Sequence, residues 1–300
     1  MLAPKPGGRY LDGTAGLGGH TAGILQAAGG GARVIGMDRD GESLEQARER
    51  LRACGFESAV HLFHAPFSRF PEALREVGWD GLDGALLDLG VSSAQLREAE
   101  RGFSFMFDGP LDMRMDREAG GQNAADLVNS ASRERLKRII RELGEEPLAG
   151  RIAEAILRQR QKRAITTTSE LASTVARAYP PQRRRRARNH PATRTFQALR
   201  IAVNAELEEL EAFLGKLPDY LRSGGRVAVI SFHSLEDRAV KRSLRRLSSE
   251  CTCPPGREAC DCGMARRLRI LTKKPIVPGK AEIERNVRSR SAKLRAAEAL

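Results

Sequence analysis

Over residues 9 to 89 short apolar runs alternate with stretches of helical periodicity, a rhythm that predicts βαβ units and a parallel sheet. Four strands are expected: RYLD ending at Asp12, ARVIGMD ending at Asp38, AVHLFHA ending near Ala65 and LDGALLDLG ending near Leu89. The spacing of apolar residues between them predicts helices over 21–28, 40–53 and 68–77. After residue 89 the rhythm breaks, and 103 to 206 carries helical periodicity and basic loops without a convincing strand. Alternation resumes in GGRVAVISF, 224–232, whose β-branched run predicts a fifth core strand. A helix is expected over 234–247, opened by Ser234 and Asp237 as a capping box, and RLRILT, 267–272, adds a late strand. The expected fold is therefore a doubly wound, Rossmann-like α/β sheet, discontinuous in sequence, with an inserted all-helical domain. Residues 1–103 and 207–300 form the sheet domain and 104–206 the insertion.

Length agrees with this division, since 300 residues exceed what one core usually serves. Hydrophobic residues at 41% and charged residues at 30% describe a globular chain. The net charge of +13 is unevenly spread. Residues 1–103 hold 11 basic against 14 acidic side chains, 104–206 hold 20 against 12, and 233–300 hold 17 against 8. A near-neutral front with two basic stretches points to a small ligand on one part and a polyanion, foremost nucleic acid, on the others. No run of 18 apolar residues exists and the start, MLAPKPGGRYLDG, has no apolar signal core, so a cytoplasmic protein is expected. Cys251, Cys253, Cys260 and Cys262 crowd one segment as CxC, six residues, CxC. Four thiolates suffice for tetrahedral zinc, but such sites more often use CxxC, and free thiols with no bound metal are the preferred expectation.

The chemistry begins at DGTAGLGGH, residues 12–20, a strand followed at once by a glycine-dense turn and a helix. Such a turn lets a ligand sit against main-chain N–H groups at a helix start. Asp38 closes the second strand, where an acidic side chain accepts hydrogen bonds from ribose hydroxyls. Asp88 closes the fourth, so Asp12, Asp38 and Asp88 are expected to line one ligand cleft along the carboxyl edge of the sheet. The dinucleotide fingerprint GxGxxG needs glycine where Thr21 stands. That argues for a nucleoside-bearing cofactor other than NAD, and against the rival reading of a nicotinamide-dependent oxidoreductase. A second rival, an RNA-binding factor without catalysis, stays open at this stage.

Further motifs are HAPFSRF at 64–70, LLDLGVSSAQL at 86–96, RGFSFMFDGPLDMRMD at 101–116, HPATRTFQALRIAVNAEL at 190–207 and GGRVAVISFHSLEDRAVKR at 224–242. With DGTAGLGGHT and GMDRD, they make the chain resemble, over nearly its whole length, the bacterial 16S ribosomal RNA small-subunit methyltransferase H family. The resemblance implies a class I methyltransferase sheet, S-adenosyl-L-methionine as cofactor, and methylation of the N4 amino group of a cytosine in the decoding region of 16S ribosomal RNA. The implied partner is that RNA within the small ribosomal subunit, with a monomer and a homodimer both open. It further implies that Gly18, Gly19 and His20 contact the cofactor, that Asp38 holds its ribose, and that Phe67, Asp88 and Gln95 complete the pocket. Two departures stand out. The family usually has a longer segment, with a covering helix, ahead of the first strand, and Val287 stands where it usually has proline.

Transfer from a sulfonium needs alignment more than a strong base. The target amine's lone pair is conjugated with the ring, so hydrogen-bond acceptors on its two hydrogens are what to look for. The chain has DLGVSS where other amino methyltransferases have a DPPY-type motif, which leaves Asp88, Ser92, Ser93 or nearby carbonyls as candidates. Phe232 and His233 end the fifth strand on the same edge, and Phe232 is expected to stack on the base while His233 contacts it or its phosphate. RNA contacts are expected from the insertion, foremost RRRRAR, 183–188, in a loop bounded by prolines, and from the tail, where Arg288, Arg290, Lys293 and Arg295 either track the backbone or merely finish the sheet.

Overall fold

The computed structural model describes residues 1–92, 94–186, 189–251 and 265–300. The chain divides into two compact units, 1–90 with 207–300 and 91–206. The insertion thus begins at Val91, where the periodicity argument puts it at 104.

In the first unit, strands β1 (Arg9–Asp12), β2 (Arg33–Asp38), β3 (Val60–His64) and β4 (Leu82–Asp88) alternate with helices α1 (Gly19–Ala28), α2 (Gly41–Ala53) and α3 (Phe70–Val77). In the second unit run α4 (Ala124–Ser130), α5 (Arg133–Glu142), α6 (Ala149–Lys162), α7 (Thr168–Ala178), α8 (Pro181–Arg186) and α9 (Thr193–Asn204). The first unit resumes with α10 (Glu206–Lys216), β5 (Leu221–Ser231), α11 (Ser234–Leu247), β6 (Leu268–Ile270), α12 (Lys280–Arg285) and β7 (Lys293–Ala299). The sheet order is β3-β2-β1-β4-β5-β7-β6. The first five strands are parallel, and β7 pairs antiparallel with both β5 and β6.

Strand alternation sorts the core onto the two faces of this sheet. Leu11, Ile35, Ala85, Leu87, Val227 and Val229 face one side and pack with Phe70, Leu74, Phe213, Val240 and Leu244 from α3, α10 and α11. Their neighbours Tyr10, Val34, Leu86 and Ala228 face the other side and meet Ile24, Leu25 and Ala28 of α1. The doubly wound α/β sheet expected from the sequence is therefore present.

Three details differ from expectation. Helix α11 is capped one residue earlier than Ser234: His233 is its N-cap, and Glu236 completes the box by accepting from the His233 amide. Asp237, expected in that box, instead accepts from the Arg295 guanidinium at 2.6 Å and pairs with Lys293 at 3.4 Å. Those two basic residues belong to β7, and Arg295 is buried, so of the two readings left open for them they finish the sheet. The segment 183–186 is not a loop but part of α8, because Pro181 has the φ that a first helical turn wants and Arg is a good helix former.

The second unit has its own core, with Leu127, Leu136, Ile140, Ile152, Ile156, Leu171, Val175, Phe196 and Leu199 all buried. Its starts are locally specified: Asn123 with Asp126 and Thr167 with Glu170 form capping boxes on α4 and α7. The bridge between Pro110 and Thr167 is its one strand-like pairing among the described residues.

Leu87 is fully buried on β4 at the centre of the larger sheet face. Leu87→Ala is expected to cost about 3 kcal/mol of unfolding free energy, read by urea denaturation; a loss below about 1 kcal/mol would show that this face is not the stabilising core.

Candidate functional site

Because β2, β1 and β4 are neighbours, their carboxyl ends bring Asp38, Asp12 and Asp88 to one edge. The turn after β1 is stitched into both flanking strands. The Gly13 amide donates to the Leu86 carbonyl and the Ala15 amide to the Met37 carbonyl, each at 2.9 Å. Gly13 must be glycine here, since a Cβ would come within 2.4 Å of the Leu87 side chain and 2.9 Å of the Phe67 Cβ. Gly18 is the N-cap of α1 at φ 76°, tight against Ala47 and Leu51 of α2, and it frees the helix start to face the edge.

The three acids do not share one role, which corrects the expectation that all of them line a ligand cleft. Asp12 is completely buried and spends its oxygens inside the protein. One accepts from the Thr21 hydroxyl at 2.7 Å, and the other accepts from the Thr14 amide at 3.2 Å. Burial raises its pKa above the ordinary carboxylate value, with the Thr21 hydrogen bond opposing. Thr21, standing where a dinucleotide site has glycine, therefore serves as the donor that makes a buried carboxylate tolerable. Thr14 works similarly as a brace, its hydroxyl accepting from the Asp88 amide at 2.6 Å. From sequence Thr21 stands out only as the residue that breaks GxGxxG and Thr14 not at all; a threonine two and nine residues after a strand-ending acid is the available signal for the brace.

Asp38 and Asp88 remain at the accessible rim, both half-buried. Asp38 accepts from the Gly16 amide at 2.7 Å and from the Asp40 amide at 3.0 Å. Burial nevertheless pushes its pKa up to about 6. Asp88 lies 3.2 Å from His20 Nε2 through one oxygen, while its Oδ1 is buried without a hydrogen-bond partner among the described residues. This contact raises the His20 pKa above that of a free imidazole. Gly19 and His20 are exposed at the head of α1, and Phe67 is half-buried just beyond β3, its ring meeting Phe213 edge to face at 5.6 Å. The structure thus gathers Gly19, His20, Asp38, Phe67 and Asp88 on one unit with solvent access.

The other predicted residues are placed differently. Ser92 and Gln95 belong to the second unit and bond each other, the Ser92 amide donating to Gln95 Oε1 at 2.8 Å and the Gln95 amide to Ser92 Oγ at 3.1 Å. Ser93, Arg188, Cys253, Cys260 and Cys262 lie outside the described residues. Phe232 and His233 follow β5 and line a cavity of about 280 Å³ with Val277, Arg290 and Lys293. His233 is occupied as a cap: its Nδ1 accepts from the Glu236 amide at 3.4 Å, and its Nε2 is 3.1 Å from a Glu236 carboxylate oxygen. No helix of the described residues is long and apolar enough to cross a membrane.

Comparison with known proteins adds a relationship to this geometry. The profile described as the MraW methylase family matches residues 1–300. A protein of Maridesulfovibrio salexigens, named ribosomal RNA small subunit methyltransferase H, is 56% identical over 99% of this chain and 91% of its own length. A Solidesulfovibrio magneticus protein of the same name is 58% identical over 100% of this chain and 92% of its own. A third, from Lawsonia intracellularis, is 53% identical over 99% of this chain and 95% of its own.

If Asp12 is committed to Thr21, Thr21→Val should lower the unfolding free energy by about 2 kcal/mol in urea titrations near neutral pH. A change under about 0.5 kcal/mol would mean that the Asp12 carboxylate is available for a ligand after all.

Proposed function

The chain belongs to the MraW methylase family, and from that premise we propose that it is a cytoplasmic, S-adenosyl-L-methionine-dependent methyltransferase of small-subunit ribosomal RNA, acting on the N4 amine of a decoding-region cytosine. The observation that carries this reading is the unpartnered Oδ1 of Asp88, a buried acceptor at the sheet edge beside His20. A buried carboxylate oxygen without a donor is costly, so its presence argues for a ligand that donates to it. The rim residues suit an adenosyl cofactor: Asp38 would accept from ribose hydroxyls, Phe67 would pack on the base, and the amides at the start of α1 would face its polar end.

When bound, S-adenosyl-L-methionine supplies a methyl group on a sulfonium, whose departure as a neutral thioether needs no acid. The protein's work is then alignment and electrostatics. Asp88 Oδ1 would accept a hydrogen of the target amine, keeping density on nitrogen as the N–C bond forms and the S–C bond breaks. The amine's surplus proton leaves to solvent once transfer is complete. Phe232, lining the cavity with Arg290, would stack on the extruded base while that cation holds a flanking phosphate. His233, held as a helix cap, would set the direction of that strand end rather than touch the base.

Nucleoside mass spectrometry of small-subunit RNA should show N4-methylcytidine with the enzyme and none without it. An unchanged nucleoside profile would refute the assignment. Asp88→Asn keeps the shape and removes the charge, so kcat should fall about a hundredfold or more, with cofactor affinity changing much less.

Acidity offers a separate check. The raised Asp38 pKa means that the free fold prefers the protonated acid, so this group's contribution to stability falls as pH rises through about 6. Ribose hydroxyls need the ionised form, so cofactor binding runs the opposite way. Affinity should be flat above neutrality and fall about tenfold between pH 7 and pH 5, read by calorimetry. His20→Gln should keep this profile and Asp38→Asn should abolish it; the same profile in Asp38→Asn would place the titration elsewhere.

A further inference from the structure

The second unit holds a cavity of about 300 Å³ lined by Arg133, Gly150, Arg151, Glu154, Arg158 and Arg177. Three helices build it. Arg133 comes from the first turn of α5, Arg177 from the last turn of α7, and Arg151, Glu154 and Arg158 from one face of α6. Their spacing of three and four residues puts these last three side chains on the same stripe. Gly150 opens the floor, since a Cβ there would meet only the Lys137 side chain at 3.9 Å, and Lys137 thereby adds a further cation at the margin.

The charge balance of this cavity is strongly positive. Several arginines elsewhere are closely paired with acids, as in Arg295 with Asp237 at 2.6 Å, Arg200 with Glu206 at 2.8 Å and Arg226 with Glu298 at 2.9 Å. Here the one lining carboxylate, Glu154, is 3.1 Å from Arg133. Arg151, Arg158 and Arg177 form no ion pair with any described residue, and all three are exposed. Arg133 also sits where the helix dipole disfavours a cation. Like charges drawn around one concavity repel each other unless an anion joins them, and planar guanidiniums suit the paired oxygens of a phosphate.

We propose that this cleft on α5, α6 and α7 is a docking site for consecutive backbone phosphates of the RNA substrate, separate from the site of methyl transfer. The inference rests on the reading of the chain as an RNA methyltransferase. It concerns register and affinity without base readout, as phosphate contacts do.

The test is Arg151→Ala with Arg158→Ala in the full chain, binding a transcript of small-subunit ribosomal RNA over a range of salt. Affinity near 0.1 M salt should fall at least tenfold, and the slope of log K against log salt should shrink by about 1.5 to 2, one phosphate contact per lost cation. The loss should appear in the KM for RNA and leave S-adenosyl-L-methionine affinity unchanged, and Arg151→Lys with Arg158→Lys should restore most of it. Arg177→Ala, on another helix, should give a smaller loss of the same kind, which keeps the test available if the double variant folds poorly. Unchanged RNA affinity and slope would overturn the proposal. So would variants that bind the transcript normally and lose only the assembled subunit, since that outcome assigns the cleft to an acidic protein surface. A wild-type chain that binds the cofactor but methylates no ribosomal RNA would instead overturn the proposed function.

Discussion

The structure turns on how the loop after the first strand is fastened. Its amides are bonded to carbonyls of the strands on either side, and the acid that begins it is sealed beneath, satisfied by Thr14 and Thr21. A buried carboxylate with two internal donors is a rigid anchor, because any movement of the loop would strand a charge away from water. That anchor lets Asp38, His20 and Asp88 sit at a rim in fixed positions, with one acceptor of Asp88 held in reserve. Preorganised polar groups of this kind do their work without rearranging when charge develops nearby.

Much of the sheet was legible in the chain because strand and helix periods differ so clearly over residues 9 to 89. Strands β1, β2 and β4 end at the acids that mark them, β3 ends at His64 beside the expected Ala65, and α11 spans the residues that its periodicity indicates. The last strand was harder to read. KLRAAEA is rich in residues with little preference for strands, and it is held there by pairing with both β5 and β6. Tertiary pairing overrode local propensity. The misplaced cap of α11 has a related cause: Ser234 is the better intrinsic cap, but Glu236 reaches back to His233 and Phe232, so the box closes one residue earlier.

Site residues divided by how much each depends on long-range contacts. Asp38 and Asp88 could be picked from strand ends alone. Whether an acid at such an end faces solvent or a neighbouring hydroxyl is a matter of packing, and that is why Asp12 was grouped with them. The cleft of arginines in the second unit was invisible for the same reason, since α5, α6 and α7 contribute to it from separate stretches of sequence. The run at 183–186 drew attention by density alone, whereas the spatial cluster is the better candidate for a phosphate site because its charges converge.

The central claim is that this acid-rimmed edge holds an adenosyl cofactor. Calorimetric titration of the purified chain with S-adenosyl-L-methionine, beside Asp38→Ala and beside NAD as a competing nucleotide, tests it most directly. The account predicts saturable binding by the wild-type chain, a loss of about thirtyfold or more in the variant from two missing charge-assisted hydrogen bonds, and no comparable affinity for NAD. Absence of binding to S-adenosyl-L-methionine, or equal affinity in Asp38→Ala, would contradict it.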